Sequence, residues 1–404
     1  MSSRFSDSLF QALSLMETYE ETITTFGSGA ISQLGGYVML NQYQTVMLVM
    51  GGASSRASGA FNSILHVEGF GRLDINLPRF EDVPPEPDTD CVRAIAAEMA
   101  KEKPDAVLAV GGGSVMDAAK AAYLSWQTGM DVDQLFGKDI ASSKFPGRQF
   151  NRIFAVPTTS GTGSEVTCYS NIIDRKTGVK KLIQDSAIVP EFAAVDPEYT
   201  LSAPVPLTRA TGFDALVHAI ESFLNFRTEK QFPEAKKRAL SAIELIVTAL
   251  PEVLANPHDF SMRARMSAAA TLGGMAIRQS PTSLPHLLSF SFCGKSTHGE
   301  AVAALLPHFW RYYLEVPEVR EYTMRLANFF PGKTPENVIG SYEKFIKKCG
   351  GTVSPGKLTG EPDSMIAKLA EDASQNPVKL ESAPRKIAAS DCAEIFNKIL
   401  KPVW

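Results

Sequence analysis

An acid and an imidazole lie four residues apart in the segment GFDALVHAIESF, residues 212–223. The apolar residues of this segment recur at helical spacing, which predicts an amphipathic helix facing a core. Asp214 and His218 would then lie one above the other on the same helix face. One interpretation is an aspartate that caps the helix start and binds the histidine. The alternative is a metal site awaiting further ligands, because burying such groups is costly without a partner.

Three glycine-rich loops have the composition of phosphate-binding or amide-binding segments. AVGGGSVMDAAK (109–120) is typical of a strand, a glycine turn and a helix, whose N-terminus offers free N–H groups to a phosphate. It lacks the GxxxxGK[ST] of a P-loop and fits the Rossmann fingerprint poorly, so a plain tight turn stays open as an alternative. VPTTSGTGSEVT (156–167) adds small hydroxyls around two glycines. GGASSRASG (51–59) follows the first strong strand, where an adenosine ribose normally binds.

The order of the elements predicts two domains of different type. The predicted strands cover residues 45–50, 105–110 and 153–156, and helical patterns cover residues 89–103 and 114–126. This alternation is typical of an α/β domain with a parallel sheet. From residue 200 onward only helical patterns remain, and TLSAPVPLT (200–208) indicates a hinge. We therefore predict a dinucleotide-binding α/β domain over residues 1–200, an all-helical domain over residues 201–404, and a cleft between them.

The bulk composition restricts the class of protein. The chain has 404 residues, 44% of them hydrophobic, and a net charge of −4, which lacks the electrostatic footprint of a nucleic-acid-binding protein. No apolar run approaches the ~18 residues of a membrane span. The five cysteines are widely spaced without a CxxC, and the N-terminus lacks a signal-peptide pattern. These features predict a cytoplasmic protein with reduced thiols and with neither nucleic-acid nor membrane partners.

Four motifs resemble those of the iron-containing (group III) alcohol dehydrogenases, in the family order and at plausible spacing. They are GGGSVMDAAK, VPTTSGTGSEVT, GFDALVHAIESF and HGEAVAALLPH, and the resemblance extends from FGSGAISQLG to SAPRKIAASDCAEIF. The resemblance implies a Rossmann-like nucleotide domain followed by a helical metal-binding domain, as in the dehydroquinate synthase-like fold. It also implies hydride transfer between a nicotinamide cofactor and a small-molecule alcohol or aldehyde, in a homodimer or larger homo-oligomer.

The resemblance implies a divalent metal held by an aspartate and three histidines, which are also assigned as catalytic. The matching positions are Asp214, His218, His286 and His298. One carboxylate and three imidazoles without sulfur suit Fe²⁺ or Zn²⁺, and the family points to iron. Such an ion lowers the pKa of an alcohol or polarises an aldehyde carbonyl. The substrate is therefore expected on the metal, in the cleft between the domains.

Three departures from the family pattern lie around the last two ligands. The gap between His286 and His298 is two residues shorter than usual, so this loop must be rebuilt. Phe290 stands where many members carry a second histidine near the nicotinamide, and Thr297 replaces a proline. Because a phenyl ring carries no proton, water or the cofactor ribose would have to relay it.

The loops and the resemblance together predict the residues that contact the cofactor. They are Gly51, Gly52, Ser54, Ser55, Arg56, Gly111, Gly112, Gly113, Ser114, Asp117, Thr158, Thr159, Thr162, Ser164, Thr167 and Lys180. Gly51 stands where NAD-linked members carry an aspartate that would repel a 2′-phosphate, and Arg56 can bind a phosphate bidentately. We therefore predict NADP(H) in preference to NAD(H), and the aldehyde-reducing direction. The alternative is a flexible turn with a solvated Arg56.

Two other functions stay open at this point. A dehydroquinate synthase-like lyase, dependent on a metal and NAD, needs a basic pocket for a phosphorylated acid, and no such cluster is evident. A non-catalytic dinucleotide-binding protein on the same scaffold is expected to lose its metal ligands first. Arg278 and Gln279 precede His286, and an Arg278 facing the cleft would favour an anionic substrate, whereas a helix-capping or surface-paired arginine would not. His66 and His258 are expected at the surface, and His308 in a packing role.

Overall fold

The computed structural model describes residues 2–67, 75–150 and 152–404. The chain divides into two compact units that interleave along the sequence. The sheet unit comprises Leu13–Pro204 and Pro257–Gly274, and the helical unit comprises Val205–Asn256, Met275–Trp404 and the start of the chain up to Ala12. The chain therefore enters the sheet unit twice, at Leu13 and again at Pro257.

The sheet unit contains nine strands within the described residues. They are β1 (Ile23–Phe26), β2 (Val46–Met50), β3 (Arg79–Phe80), β4 (Ala106–Gly111), β5 (Gly137–Lys138), β6 (Ile153–Pro157), β7 (Tyr169–Asp174), β8 (Val179–Gln184) and β9 (Phe192–Val195). Six of them form a parallel sheet in the order β1-β9-β6-β4-β2-β3, which confirms the predicted α/β fold. The other three strands form a second, smaller sheet in the order β5-β8-β7, in which β7 and β8 are antiparallel. The three strands predicted from apolar runs are β2, β4 and β6, at the centre of the large sheet.

Helices surround the large sheet on both faces. Up to residue 144 the chain forms the helices α1 (Ser2–Glu17), α2 (Ile31–Leu40), α3 (Gly52–Ala57), α4 (Ala60–His66), α5 (Thr89–Glu102), α6 (Gly113–Thr128) and α7 (Ile140–Lys144). Val49 of β2 belongs to one apolar cluster with Ile95 of α5, whereas the neighbouring Leu48 belongs to the opposite cluster with Leu34 of α2. Because both faces are covered, the central strands are apolar at every position.

The remaining helices begin at Val205. They are α8 (Val205–Leu224), α9 (Pro233–Ala255), α10 (Phe260–Gln279), α11 (Leu284–Ser289), α12 (His298–Tyr313), α13 (Pro317–Arg325), α14 (Pro335–Lys348), α15 (Gly356–Thr359), α16 (Pro362–Ser374), α17 (Pro377–Ser382) and α18 (Cys392–Leu400). The second half of the predicted hinge over 200–208 is wrong, because α8 already begins at Val205 and accommodates Pro206 in its first turn. Helix α10 begins in the sheet unit and ends in the helical unit, since the units change after Gly274. No helix within the described residues is both long and apolar enough to cross a membrane.

Candidate functional site

Helix α8 carries three buried polar side chains along one face. Asp214, His218 and Glu221 follow one another at intervals of four and three residues and are all buried. Residues at this spacing lie on the same side of an α-helix. The positions between them are apolar, and both Leu216 and the preceding Phe213 are fully buried. The helix therefore places an acid, an imidazole and a second acid into the interior of the helical unit.

Three imidazoles surround one carboxylate oxygen, Oδ1 of Asp214. The Nε2 atoms of His218, His286 and His298 lie 3.7, 3.4 and 3.3 Å from it. The candidate ligand atoms of Asp214, His286 and His298 all lie within 4.8 Å of one another. The rings of His218 and His286 stack with centroids 4.3 Å apart. The structure thus brings together the four residues that the sequence predicts as ligands, although His286 and His298 come from α11 and α12.

The inner atoms of this cluster lack partners. Oδ1 of Asp214 and Nε2 of His286 are buried, and neither forms a hydrogen bond with any of the residues described. Burying such atoms unpaired costs free energy, and a bound cation would satisfy them. One carboxylate oxygen and three imidazole nitrogens are ligands that suit Fe²⁺ or Zn²⁺. The four side chains therefore fit a divalent metal.

The outer atoms of two of the histidines are held by hydrogen bonds. Nδ1 of His286 contacts Oε2 of Glu221, while Oε1 of Glu221 accepts hydrogen bonds from the backbone N–H and the hydroxyl of Ser283 at 2.8 and 2.7 Å. Nδ1 of His298 lies 3.0 Å from Oγ of Ser289, whose hydroxyl donates to the carbonyl oxygen of His286 at 2.7 Å. Both rings thus turn Nε2 toward Asp214.

The electrostatics of the cluster follow from burial and from the paired charges. Burial raises the pKa of the Asp214 carboxyl, but the neighbouring imidazoles, His218 and His298 foremost, outweigh it and hold this pKa well below its ordinary value. Burial lowers the pKa of His218 to about 3. Burial also lowers the pKa of His286, but the negative charges of Glu221 and Asp214 raise it by more. An ionised aspartate beside a neutral His218 has free electron pairs for a cation.

The segment between His286 and His298 contains two residues that depart from the family pattern, Phe290 and Thr297. Phe290 stacks on the ring of His298, with centroids 5.9 Å apart and an angle of 21° between the planes. Thr297 is the N-cap residue of helix α12 and has an extended conformation. It stands at the position where the resemblance implies a proline. Nε2 of His308 lies 2.7 Å from the carbonyl oxygen of Val353, in agreement with a packing role.

Arg278 and Gln279, upstream of His286, are the last two residues of α10. The side-chain oxygen of Gln279 accepts a hydrogen bond from the buried Arg238 at 3.1 Å, so Gln279 is engaged within the helical unit. Arg278 is partly buried in the last turn of α10. His66 and His258 are exposed, as expected for surface residues.

In the sheet unit, the loop after β6 lies against the start of α6. A Cβ atom at Gly113 would lie 2.5 Å from Cγ2 of Thr162, and one at Gly112 would lie 3.1 Å from Oγ1 of Thr159. The backbone N–H of Thr158 donates to the carbonyl of Gly111 at 3.0 Å. Glycine is thus required at this helix N-terminus because the threonine loop packs directly on it.

Lys120 is the centre of a buried network that the sequence analysis missed. Its Nζ donates to the carbonyl oxygens of Ser164 and Thr167 at 2.5 and 2.8 Å and to the Ser164 hydroxyl at 2.9 Å. Asp117 accepts hydrogen bonds from that hydroxyl and from the backbone N–H of Asn171, both at 2.9 Å. Asp117, Ser164 and Thr167 therefore direct their polar atoms into the protein, and we expect them to hold the loop rather than contact a nucleotide. A lysine inside the apolar run AAKAAY was the available signal.

Glu86 connects Lys180 to Ser114 at the start of α6. Nζ of Lys180 is 3.5 Å from Oε1 of Glu86, and the backbone N–H of Glu86 donates to Oγ of Ser114 at 3.2 Å. The burial of this lysine is intermediate, and its contact with the cofactor stays a prediction.

Two serines of the loop after β2 that are predicted to contact the cofactor form hydrogen bonds within the protein instead. Ser55 is buried, and its hydroxyl donates to the carbonyl of Val110 at 2.8 Å, while Ser54 donates to the carbonyl of Gly51 at 2.8 Å. Ser55 is therefore not a free donor, contrary to the sequence expectation, because the fold uses it to join this loop to β4. The side chain of Arg56 is 48% exposed and forms an ion pair with Glu81.

Comparisons with known proteins agree with this description. Residues 22–197 match the family model for iron-containing alcohol dehydrogenases, and residues 208–400 match the model for the C-terminal part of that family. A 1-propanol dehydrogenase PduQ from Citrobacter freundii is 32% identical over 346 residues, which cover 81% of this chain and 86% of the relative. An aldehyde-alcohol dehydrogenase from Streptococcus pneumoniae is 34% identical over 295 residues, 67% of this chain, and this chain spans only 33% of that longer protein.

A solved structure gives the same result for the fold. A crystal structure of a 1,3-propanediol oxidoreductase superposes with a TM-score of 0.82 at 28% identity, covering 93% of this chain and 97% of the other. The two family models together account for both units, and the four converging side chains lie within the part that matches the C-terminal model. The chain belongs to the iron-containing alcohol dehydrogenase family.

Proposed function

We propose that the protein is a metal-dependent oxidoreductase that transfers a hydride between NADP(H) and a primary alcohol or aldehyde. The convergence of three Nε2 atoms on Oδ1 of Asp214 carries this proposal. Two of the inner atoms are buried without hydrogen-bond partners in the described structure, an arrangement that a cation would stabilise. The relatives named above are dehydrogenases or oxidoreductases of alcohols, diols or aldehydes, which supports the same substrate class.

The chain's own residues divide the work between binding and orientation. Asp214, His218, His286 and His298 would hold the metal, and when bound it would supply Lewis acidity toward the substrate oxygen. The N-terminus of α6, at Gly113, offers free N–H groups to the cofactor diphosphate. The hydride would pass directly between the substrate carbon and the nicotinamide, so alignment is the main task of the protein.

Proton transfer in this chain cannot use residue 290. The ring of Phe290 lies against His298, and a phenyl group neither donates nor accepts a proton. We propose that water or the cofactor ribose carries the proton between the substrate oxygen and solvent. Phe290 then contributes an apolar surface beside the metal ligands, which excludes water from one side of the reacting centre.

The preference for NADP(H) is proposed from the loop after β2. Gly51 carries no carboxylate that would repel a 2′-phosphate, and Arg56 is close by and nearly half exposed. Glu81 occupies Arg56 in the structure, so a 2′-phosphate would have to displace this carboxylate. A phosphate with two charges is a stronger partner for a guanidinium than a single carboxylate oxygen. We therefore keep NADP(H) and aldehyde reduction as the proposed cofactor and direction.

Three further properties are proposed from the family resemblance and the composition. A homodimer or larger homo-oligomer is the state that the resemblance implies, and light scattering after size-exclusion chromatography tests it. A cytoplasmic location is proposed because the five cysteines are widely spaced and form no CxxC pattern. Either Fe²⁺ or Zn²⁺ would suit the donor set, and we propose iron because the family is iron-containing.

Steady-state kinetics with metal analysis of the same sample tests the proposed function. NADPH and NADH oxidation would be measured with a panel of aldehydes, and metal content by mass spectrometry. We expect turnover that requires an aldehyde and favours NADPH. If no aldehyde supports the oxidation of NADPH or NADH and a phosphorylated acid is turned over, the result would favour a lyase of the dehydroquinate synthase type. Nucleotide binding without turnover of any substrate would favour a binding protein.

A further inference from the structure

Glu221 is the third polar residue that α8 sends into the metal centre, and both of its carboxylate oxygens are used. Oε2 contacts Nδ1 of His286, and Oε1 accepts two hydrogen bonds from Ser283, at 2.8 Å from the backbone N–H and 2.7 Å from the hydroxyl. The side chain is buried, so water does not compete for it. Glu221 is therefore fixed from one side by Ser283 and presents its other oxygen to the histidine.

We propose that Glu221 is a positioning residue that holds His286 in the tautomer able to bind the metal. An ionised carboxylate only accepts hydrogen bonds, so Nδ1 of His286 must carry a proton. Nε2 is then the atom left to bind a cation beside Oδ1 of Asp214, 3.4 Å away. This inference rests on the proposed function, because it assigns Glu221 a role toward the metal of that site.

The other two histidines show why His286 needs this support. Nδ1 of His298 is held by the neutral hydroxyl of Ser289 at 3.0 Å. Nδ1 of His218 is buried and has no hydrogen-bond partner in the described structure, but His218 belongs to the 20-residue helix α8, which fixes its backbone. His286 lies on α11, a helix of only 6 residues. The long helix thus supplies two ligands directly and orients a third.

The substitution Glu221→Gln would frustrate this arrangement in either orientation of the amide. With its oxygen toward the N–H of Ser283, the amide presents an NH₂ group to Nδ1 of His286. The histidine would then have to move its proton to Nε2, where the proton occupies the metal position. In the reverse orientation, the NH₂ group meets the N–H of Ser283, and two donors face each other. Volume hardly changes, so the variant tests the charge and the direction of the hydrogen bond.

The first measurement is the affinity of the full-length protein for Zn²⁺ alone, by competition with a chromophoric chelator. We expect Glu221→Gln to bind Zn²⁺ about 10- to 100-fold more weakly than wild type, which is the usual effect of losing such a partner. Glu221→Asp keeps the acceptor on a shorter side chain and should recover part of the affinity. Glu244→Gln makes the same chemical change on α9, away from this cluster, and serves as the matched control.

The second measurement uses only the wild-type protein. Histidine-selective ¹⁵N NMR of the metal-free wild-type protein reports which ring nitrogen carries the proton. At a pH where the ring carries a single proton, we expect His286 to carry that proton on Nδ1. A His286 protonated only on Nε2 would overturn the inference, and so would equal Zn²⁺ affinities in wild type, Glu221→Gln and Glu244→Gln.

The two measurements separate this inference from the proposed function. A wild-type chain with the Nδ1-protonated His286 that binds no divalent metal would contradict the metal centre and, with it, the role of Glu221 toward a metal. Metal binding and aldehyde reduction that are equal in wild type and in Glu221→Gln would contradict the positioning role alone. Loss of Zn²⁺ affinity with unchanged circular dichroism, restored in part by Glu221→Asp, is the result that supports it.

Discussion

Gly299 lies directly against the backbone carbonyl of Ala210. A Cβ atom at Gly299 would lie 1.8 Å from that oxygen, so α8 and α12 make a close approach that only glycine permits. The neighbouring His298 is the first residue of α12, and Asp214 lies one helical turn beyond Ala210 on α8. This approach therefore sets the distance between a histidine and the carboxylate of the candidate metal centre.

Gly299→Ala should push α12 away from α8 and displace His298. We expect a loss of stability of about 1–3 kcal/mol from overpacking, together with reduced metal content. Urea unfolding and metal analysis of the purified variant check both effects. Gly340→Ala on α14 is the control, since a Cβ there meets nothing within 4 Å. It should stabilise the helix by about 0.5–1 kcal/mol and retain the metal. Wild-type stability and metal content in Gly299→Ala would show that the contact is not needed.

The ion pair between Arg56 and Glu81 predicts how the cofactor is selected. Arg56→Ala should weaken NADPH binding by about 1.5–3 kcal/mol, the usual value of a hydrogen bond to a charged group, and leave NADH binding unchanged. Glu81→Gln should release Arg56 and lower the KM for NADPH. Arg175→Ala, which removes an exposed arginine paired with Asp88, is the control. If Glu81→Gln instead impairs NADH use and leaves NADPH use unchanged, Glu81 contacts the ribose hydroxyls and the account of selectivity is wrong.

A carboxylate at position 51 should reverse the cofactor preference. Gly51→Asp is expected to raise the KM for NADPH by charge repulsion and to improve NADH use in relative terms. A Cβ at Gly51 would lie 3.0 Å from Cγ2 of Val115, so part of any effect is steric. Gly51→Ala separates the two contributions, because it adds the Cβ without the charge and should affect both cofactors alike. Equal changes of NADPH and NADH kinetics in Gly51→Asp would rule out repulsion as the cause.

Lys120→Met should loosen the loop that follows β6. The carbonyl oxygens of Ser164 and Thr167 and the carboxylate of Asp117 would lose a buried cation, and unpaired buried acceptors cost about 1–3 kcal/mol each. We expect a lower melting temperature and weaker NADPH binding, with metal content retained. Isothermal calorimetry with the nucleotide and metal analysis measure these effects. Full nucleotide affinity in a destabilised variant would confine Lys120 to a role in folding.

The same lysine predicts a pH dependence of stability. Burial lowers the pKa of Lys120 to about 8, although Asp117 opposes the shift, whereas an exposed lysine has a pKa of about 10.4. Between these values the unfolded chain binds more protons than the native state, so the contribution of Lys120 to stability rises with pH. The stability of wild type relative to Lys120→Met should increase from pH 8 to pH 10. A difference that stays constant over this range would contradict the lowered pKa.

The sequence indicates the centre of the sheet unit but not its periphery. Strands β2, β4 and β6 are apolar at every position because helices cover both faces, and this pattern is visible in a single sequence. Strand β3 has two residues, too few for a pattern. All but one of the residues of strand β8, VKKLIQ, are partly exposed, and two of them are lysines. The segment therefore resembles a loop until its pairing with β7 is known.

The candidate site shows a similar limit. Asp214 and His218 are recognisable by their spacing on one helix, and Glu221 follows at the same periodicity but resembles an ordinary charged residue until His286 is seen beside it. A serine in a loop sequence shows that a hydrogen-bond donor is present, but it does not show which acceptor the hydroxyl binds. Ser55 thus resembles a cofactor contact in the sequence, whereas the folded chain directs it to Val110.

Metal titration of the chelated protein shows whether the four converging side chains hold the metal that catalysis requires. Turnover of NADPH with an aldehyde would be recorded as Fe²⁺ is added anaerobically to metal-free wild type and to Asp214→Ala, with bound metal measured in the same samples. We expect no turnover without metal, a rise in proportion to bound metal up to a single ion per chain, and neither binding nor turnover in Asp214→Ala. Full turnover in the metal-free protein, or in Asp214→Ala, would contradict this expectation.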